Sequence, residues 1–151
     1  MSLSEAKKLF IQEFSGILMP WGMPQSMGRV FAYLMTQSAP VSLDRIAEDL
    51  ELSKTSAWNI TRDMVNFGHA TRHSMPGSKQ ALFSLSKDFA TPLVKMTELL
   101  GHAAMLLNQC AESIDETALV DGLQQRADFY SAIQNAIGTA IRENNSRLQQ
   151  S

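Results

Sequence analysis

The stretch Val41–Leu85, VSLDRIAEDLELSKTSAWNITRDMVNFGHATRHSMPGSKQALFSL, decides the fold of this 151-residue chain. In SLDRIAEDL the apolar positions Leu43, Ile46, Ala47 and Leu50 line one side of a short helix, and Ser42 stands where a cap is needed. Glu51 and Leu52 form a turn, and Ser53 caps again. From Lys54 to Phe67 a second helix is expected, with Ala57, Ile60, Thr61 and Met64 on one face and Phe67 at its end. Lys54, Thr55, Ser56, Trp58, Asn59 and Arg62 lie opposite. Gly68 suits the left-handed C-cap. Residues Ala70–Ser74 and Gln80–Leu85 alternate around MPGSK, where Pro76-Gly77 marks a turn, so they read as a two-stranded β wing. Two short helices, a tight turn and a hairpin make a winged helix-turn-helix.

Before this module, Ser4 caps a helix to about Met19, with Leu9, Phe10, Phe14, Ile17 and Leu18 in its apolar stripe. Pro20, Gly22 and Pro24 break it, and a second helix runs from Pro24 to about Thr36. After the module two long helices are expected. The first, about Asp88 to Cys110, repeats Leu93, Met96, Leu100, Ala103, Leu107 and Cys110. The second, about Asp115 to Arg147, repeats Leu119, Leu123, Ala127, Tyr130, Ile133, Ile137 and Ile141. A helix of that length extends about 50 Å, more than a small core covers, so its stripe calls for a partner such as a second copy. The fold class is therefore mainly α, a winged helix-turn-helix with long terminal helices forming a dimerisation region. Residues 1–37 pack on the winged helix, 38–88 form the DNA-binding domain and 89–151 the C-terminal helical dimerisation region.

A hydrophobic share of 44% is that of a folded globular protein. No apolar run approaches the roughly 20 residues of a membrane span. MSLSEAKKLF carries two lysines without the apolar core of a signal peptide. One cysteine, Cys110, allows no intrachain disulfide, and a cytoplasmic location is expected. Cys110 reads as a buried thiol on a helical core position.

The formal net charge of −2 is not that of a generally basic nucleic-acid binder. Its distribution is uneven, however. Residues 53–87 hold five basic side chains (Lys54, Arg62, Arg72, Lys79, Lys87) against Asp63, a net +4, whereas residues 88–151 hold four basic and eight acidic, a net −4. The positive stretch coincides with the second helix and the wing, where phosphates of double-stranded DNA would lie. Ser53, Lys54, Thr55 and Ser56 offer hydroxyls, N–H groups and a cation to phosphate oxygens. Asn59 and Arg62 can present paired donors to base edges, Arg to guanine and Asn to adenine. Arg72 and Lys79 can reach phosphates or a minor groove from the wing. Trp58 is expected to be partly buried against the first helix pair. A solvated polar face on a protein-interaction module is the competing reading, and RNA binding lacks paired exposed aromatics.

The segments GMPQSMGRVFAYL (Gly22–Leu34), SLDRIAEDL, LSKTSAWNITRDM (Leu52–Met64), FGHATR (Phe67–Arg72) and PGSK (Pro76–Lys79) resemble the GbsR-type branch of the MarR-like winged-helix transcriptional regulators. The resemblance is close from Phe14 to Phe89 and general beyond. It implies a homodimeric regulator on a pseudo-palindromic operator, with a small solute as effector; some members sense choline or glycine betaine. Trp58 stands where the family more often has a small residue, and the hairpin carries fewer arginines than its wings usually do.

A quaternary ammonium ligand would need an aromatic cage. Phe14, Trp21, Phe31 and Tyr33 cluster around the first helix break and are the candidate ligand-binding residues; the alternative is plain core. No cofactor or metal is expected. His69, His73 and His102 lack metal-ligand spacing, and no phosphate loop or nucleophile motif speaks for an enzyme. His69 and His73 read as polar surface groups flanking the wing.

Overall fold

The computed structural model describes residues 2–150, with side chains to residue 147. Met1 and Ser151, the outer ends of the expected segments, lie outside the described residues. The chain divides into two compact units, one up to Asp88 and one from Phe89.

The first unit holds α1 (Glu5–Leu18), a 3₁₀ turn (Met19–Trp21), α2 (Gln25–Met35), β1 (Val41–Ser42), α3 (Leu43–Asp49), α4 (Lys54–Asn66), β2 (Ala70–Ser74) and β3 (Ala81–Leu85). Ser4, Ser42 and Ser53 each accept a backbone N–H three residues on, so three helices begin where the short hydroxyl side chains stand. The sheet has three strands in the order β1-β3-β2, all antiparallel. The expected two-stranded wing is thus joined by Val41 and Ser42, which pair with Phe83 and Leu82.

Helices α3 and α4 end in the same way. Leu52 N–H donates to Ala47 and Glu51 N–H to Glu48, and one helix later His69 N–H donates to Met64 and Gly68 N–H to Val65. This double bond satisfies the last carbonyls but requires a left-handed residue after the cap. Gly68 supplies it freely at φ 83°, whereas Glu51 adopts φ 56° against its own Cβ. The turn between α3 and α4 thus carries a backbone cost at Glu51, offset by these local bonds and by the burial of Leu50.

One core joins these elements. Val30, Tyr33, Leu34, Ile46, Leu50, Ala57, Met64 and Phe83 are almost wholly buried in it. Gly28 lets α2 approach α1, since a Cβ there would stand 3.3 Å from that of Ser15. Arg29 donates from Nη2 to the Leu50 carbonyl at 3.0 Å and so ties α2 to the turn.

The second unit is the helical pair α5 (Ala90–Ser113) and α6 (Thr117–Gln150). Its buried seam is made of small residues: Thr97, Ala104 and Ala111, one heptad apart on α5, and Ala127 on α6. A Cβ on Gly101 would come within 2.7 Å of the Gln134 amide, so this glycine marks the closest approach. On α6 Ala127 belongs to the expected stripe, whereas on α5 the seam lies one step round the helix from it. Leu93 and Cys110 are consequently exposed, and Cys110 is not the buried thiol the spacing suggested. Large apolar side chains point outward instead, among them Leu99 (69% exposed), Leu106 and Phe129 (61%).

Candidate nucleic-acid interface

Helix α4 packs through Ala57, Thr61 and Met64, so the fold turns its other side to solvent. Thr61 keeps a hydroxyl in the core by donating to the carbonyl of Ala57 at 2.8 Å. Lys54, Thr55, Ser56, Trp58, Asn59 and Arg62 are all exposed, the face expected from the spacing.

The individual side chains differ in how free they are. Ser53 Oγ accepts the Ser56 N–H at 3.0 Å and donates to Ser56 Oγ at 2.9 Å, so both hydroxyls serve the helix start. Ser53→Ala is expected to cost about 1 kcal/mol of stability in a denaturant titration; an unchanged midpoint would mean the cap contributes nothing in solution. Lys54 Nζ lies 2.9 Å from Asp44 Oδ1 on α3, and Arg62 Nη2 lies 3.2 Å from Asp63 Oδ1. These pairs are largely exposed, and such pairs are worth roughly 0–1 kcal/mol, so a phosphate or base edge can displace them. Thr55 and Asn59 have no hydrogen-bond partner, and Lys79 no ion pair, among the described residues.

The wing contributes Arg72 and Lys79. Arg72 pairs across the ladder with Phe83, which is buried, so its side chain leaves the hairpin on the side that faces α4. There its guanidinium sits 5.9 Å from the centroid of the Trp58 ring. Trp58 is 41% exposed. It lines a cleft of about 230 Å³ with Leu43, Asp44, Arg72, Lys79 and Phe83. Its neighbour is thus the wing and the start of α3, not the first helix pair, because the hairpin folds back beside α4. Asp44 and this Arg72–Trp58 contact were the elements the sequence did not expose.

Both wing histidines are half-buried instead of surface groups. His69 meets Phe31 edge-on at 5.6 Å, and His73 Nε2 lies 2.7 Å from Ser84 Oγ on the neighbouring strand.

The four aromatic residues considered as a cage do not converge. Phe14 and Phe31 stack at 6.4 Å, with Phe10 beyond Phe14 at 5.3 Å. Tyr33 is fully buried, and its hydroxyl donates to Asp49 Oδ2 at 2.8 Å. Burial, then that hydrogen bond, pushes its phenol above the ordinary tyrosine range. Asp49 also accepts from Arg45 Nε at 2.8 Å, so Tyr33 belongs to a polar tie between α2 and α3. Trp21 is 75% exposed. Among the described residues no ring contact joins Trp21 or Tyr33 to the Phe14–Phe31 pair.

No group of three metal-ligating side chains occurs among the described residues, nor does any helix long and apolar enough to cross a membrane.

No family model matches the chain. Over 131 residues it is 20% identical to the HTH-type transcriptional repressor OpcR of Bacillus subtilis (strain 168), which covers 83% of this chain and 71% of that protein. Over 87 residues it is 24% identical to the putative HTH-type transcriptional regulator YvaV of the same organism, covering 58% of this chain and about half (49%) of that one. Among solved structures, one described as a transcriptional regulator superposes with a TM-score of 0.80 at 16% identity, over 93% of this chain and 99% of the other. The chain therefore has a winged helix-turn-helix fold: mainly helical, with a three-stranded antiparallel sheet and long helices at its C-terminal end.

Proposed function

We propose that this chain is a sequence-specific DNA-binding transcriptional regulator of the MarR-like class, in its GbsR-type branch, acting as a homodimer on a pseudo-palindromic operator. The observation that carries the reading is the solvent face of α4: a capped N-terminus followed by Thr55, Asn59 and Arg62, flanked by Lys79 on the wing. A helix of this kind can enter a major groove with its N-terminal half while the wing meets the adjoining backbone. The two curated relatives, both named as helix-turn-helix regulators, support the same reading. The GbsR-type assignment rests on the motifs from Gly22 to Lys79.

The homodimer is supported by α5 and α6. Leu99, Leu106 and Phe129 stand in solvent on a pair of helices whose own seam is made of alanine, threonine and glycine. Covering such side chains is the main driving force for association. Sedimentation at micromolar concentration is expected to give twice the chain mass; a monomer would remove this part of the reading. Response to a small solute follows from the same resemblance.

The test is binding of the purified protein to DNA from around its own gene and to random DNA, at two salt concentrations. Salt-sensitive binding with a preference for one fragment is expected. A folded protein that binds neither would favour a protein-interaction module.

A further inference from the structure

Trp58 sits in the middle of the α4 solvent face, one helical turn from Lys54 and one from Arg62, yet it offers DNA neither charge nor paired donors. An indole left 41% exposed there has a cost unless it serves another group. The group beside it is Arg72. The β2–β3 register directs Arg72 toward α4, and its guanidinium lies 5.9 Å from the ring centroid, within cation–π range. The Trp58 ring and Arg72 together wall the cleft between α4, the start of α3 and the hairpin.

Resting on the DNA-binding reading above, we infer that Trp58 is a positioning residue: its ring holds Arg72 beside the solvent face of α4, so that the wing arginine meets a backbone phosphate next to the groove α4 enters. An arginine has several rotatable bonds, and fixing them before DNA arrives lowers the entropy lost on binding. The planar guanidinium can lie against the ring and still donate from its edge to a phosphate. The cation–π contact and phosphate binding therefore act together. The pair also links the recognition helix to the wing, so both present one surface.

The test is a double-mutant cycle on DNA affinity with the full chain: wild type, Trp58→Leu, Arg72→Ala and the double variant, each checked for folding by its melting curve. If the ring positions the guanidinium, the double variant loses less than the product of the single losses, by about two- to five-fold, the range of an exposed cation–π pair. Salt dependence gives a second readout. Arg72→Ala flattens the salt slope by about one phosphate contact, and Trp58→Leu flattens it too, although it removes no charge. Trp58→Phe, which keeps a π face, restores most of the affinity and slope. Should Trp58→Leu fail to fold, the cycle is run with Trp58→Phe and Arg72→Lys, in which a smaller coupling of the same sign is expected. Losses that simply multiply, with an unchanged slope in the Trp58 variant, would overturn the inference. A wild-type protein that binds no DNA would instead overturn the reading beneath it.

Discussion

Phe83→Ala is expected to lower the unfolding free energy by about 3–5 kcal/mol, the usual loss for truncating a buried phenylalanine. Phe83 is 2% exposed and lies on the central strand, paired with Val41 on one side and Arg72 on the other. Its ring is where the sheet meets the helices of the first unit, within the cluster that contains Ile46, Ala57 and Met64. Truncation leaves a cavity under both the wing and α4, and no neighbouring side chain can fill it without leaving its own place. Denaturant titration followed by circular dichroism reads the effect directly. A loss below about 1 kcal/mol would mean the sheet and helices do not share one packed core. Because total stabilities of single domains are about 5–15 kcal/mol, such a loss removes a large share of the total.

Arg62→Ala is expected to weaken binding to the preferred DNA by about 1–3 kcal/mol while changing binding to random DNA far less. Arg62 lies on the exposed side of α4, and among the described residues its one ion pair is with the adjacent Asp63. That pair is weak in water, so the guanidinium is available to the two acceptors of a guanine edge. Competition assays against preferred and random fragments separate the two cases. Equal loss on both would make Arg62 a phosphate contact and move base recognition to Asn59 and Thr55.

The helix-turn-helix was legible because its signals are local. Ser42 and Ser53 each bond a backbone N–H within one turn, and Gly68 takes the left-handed position that favours glycine. The solvent face of α4 followed from helical spacing alone. β1 was not legible, since two residues cannot display an alternation. The seam of the second unit was hidden for a different reason. Thr97, Gly101, Ala104 and Ala111 carry little apolar weight, so the larger leucines beside them set the apparent stripe and drew Cys110 into it. The Trp58–Arg72 contact depends on strand register and on how the hairpin folds back, neither of which short-range pattern encodes. Tyr33 looked like one wall of a cage because it is near Phe31 in sequence, but two residues apart on a helix point different ways. Its hydroxyl found Asp49 on another helix instead.

The most direct test of DNA recognition by α4 is amide hydrogen exchange of the full chain, with and without the preferred DNA fragment. Entry of α4 into a groove with the wing alongside predicts slowed exchange in residues 53–62 and 72–79, with little change in α1. Bound DNA that protects α1 or the α5–α6 pair and leaves α4 exchanging as before would contradict it.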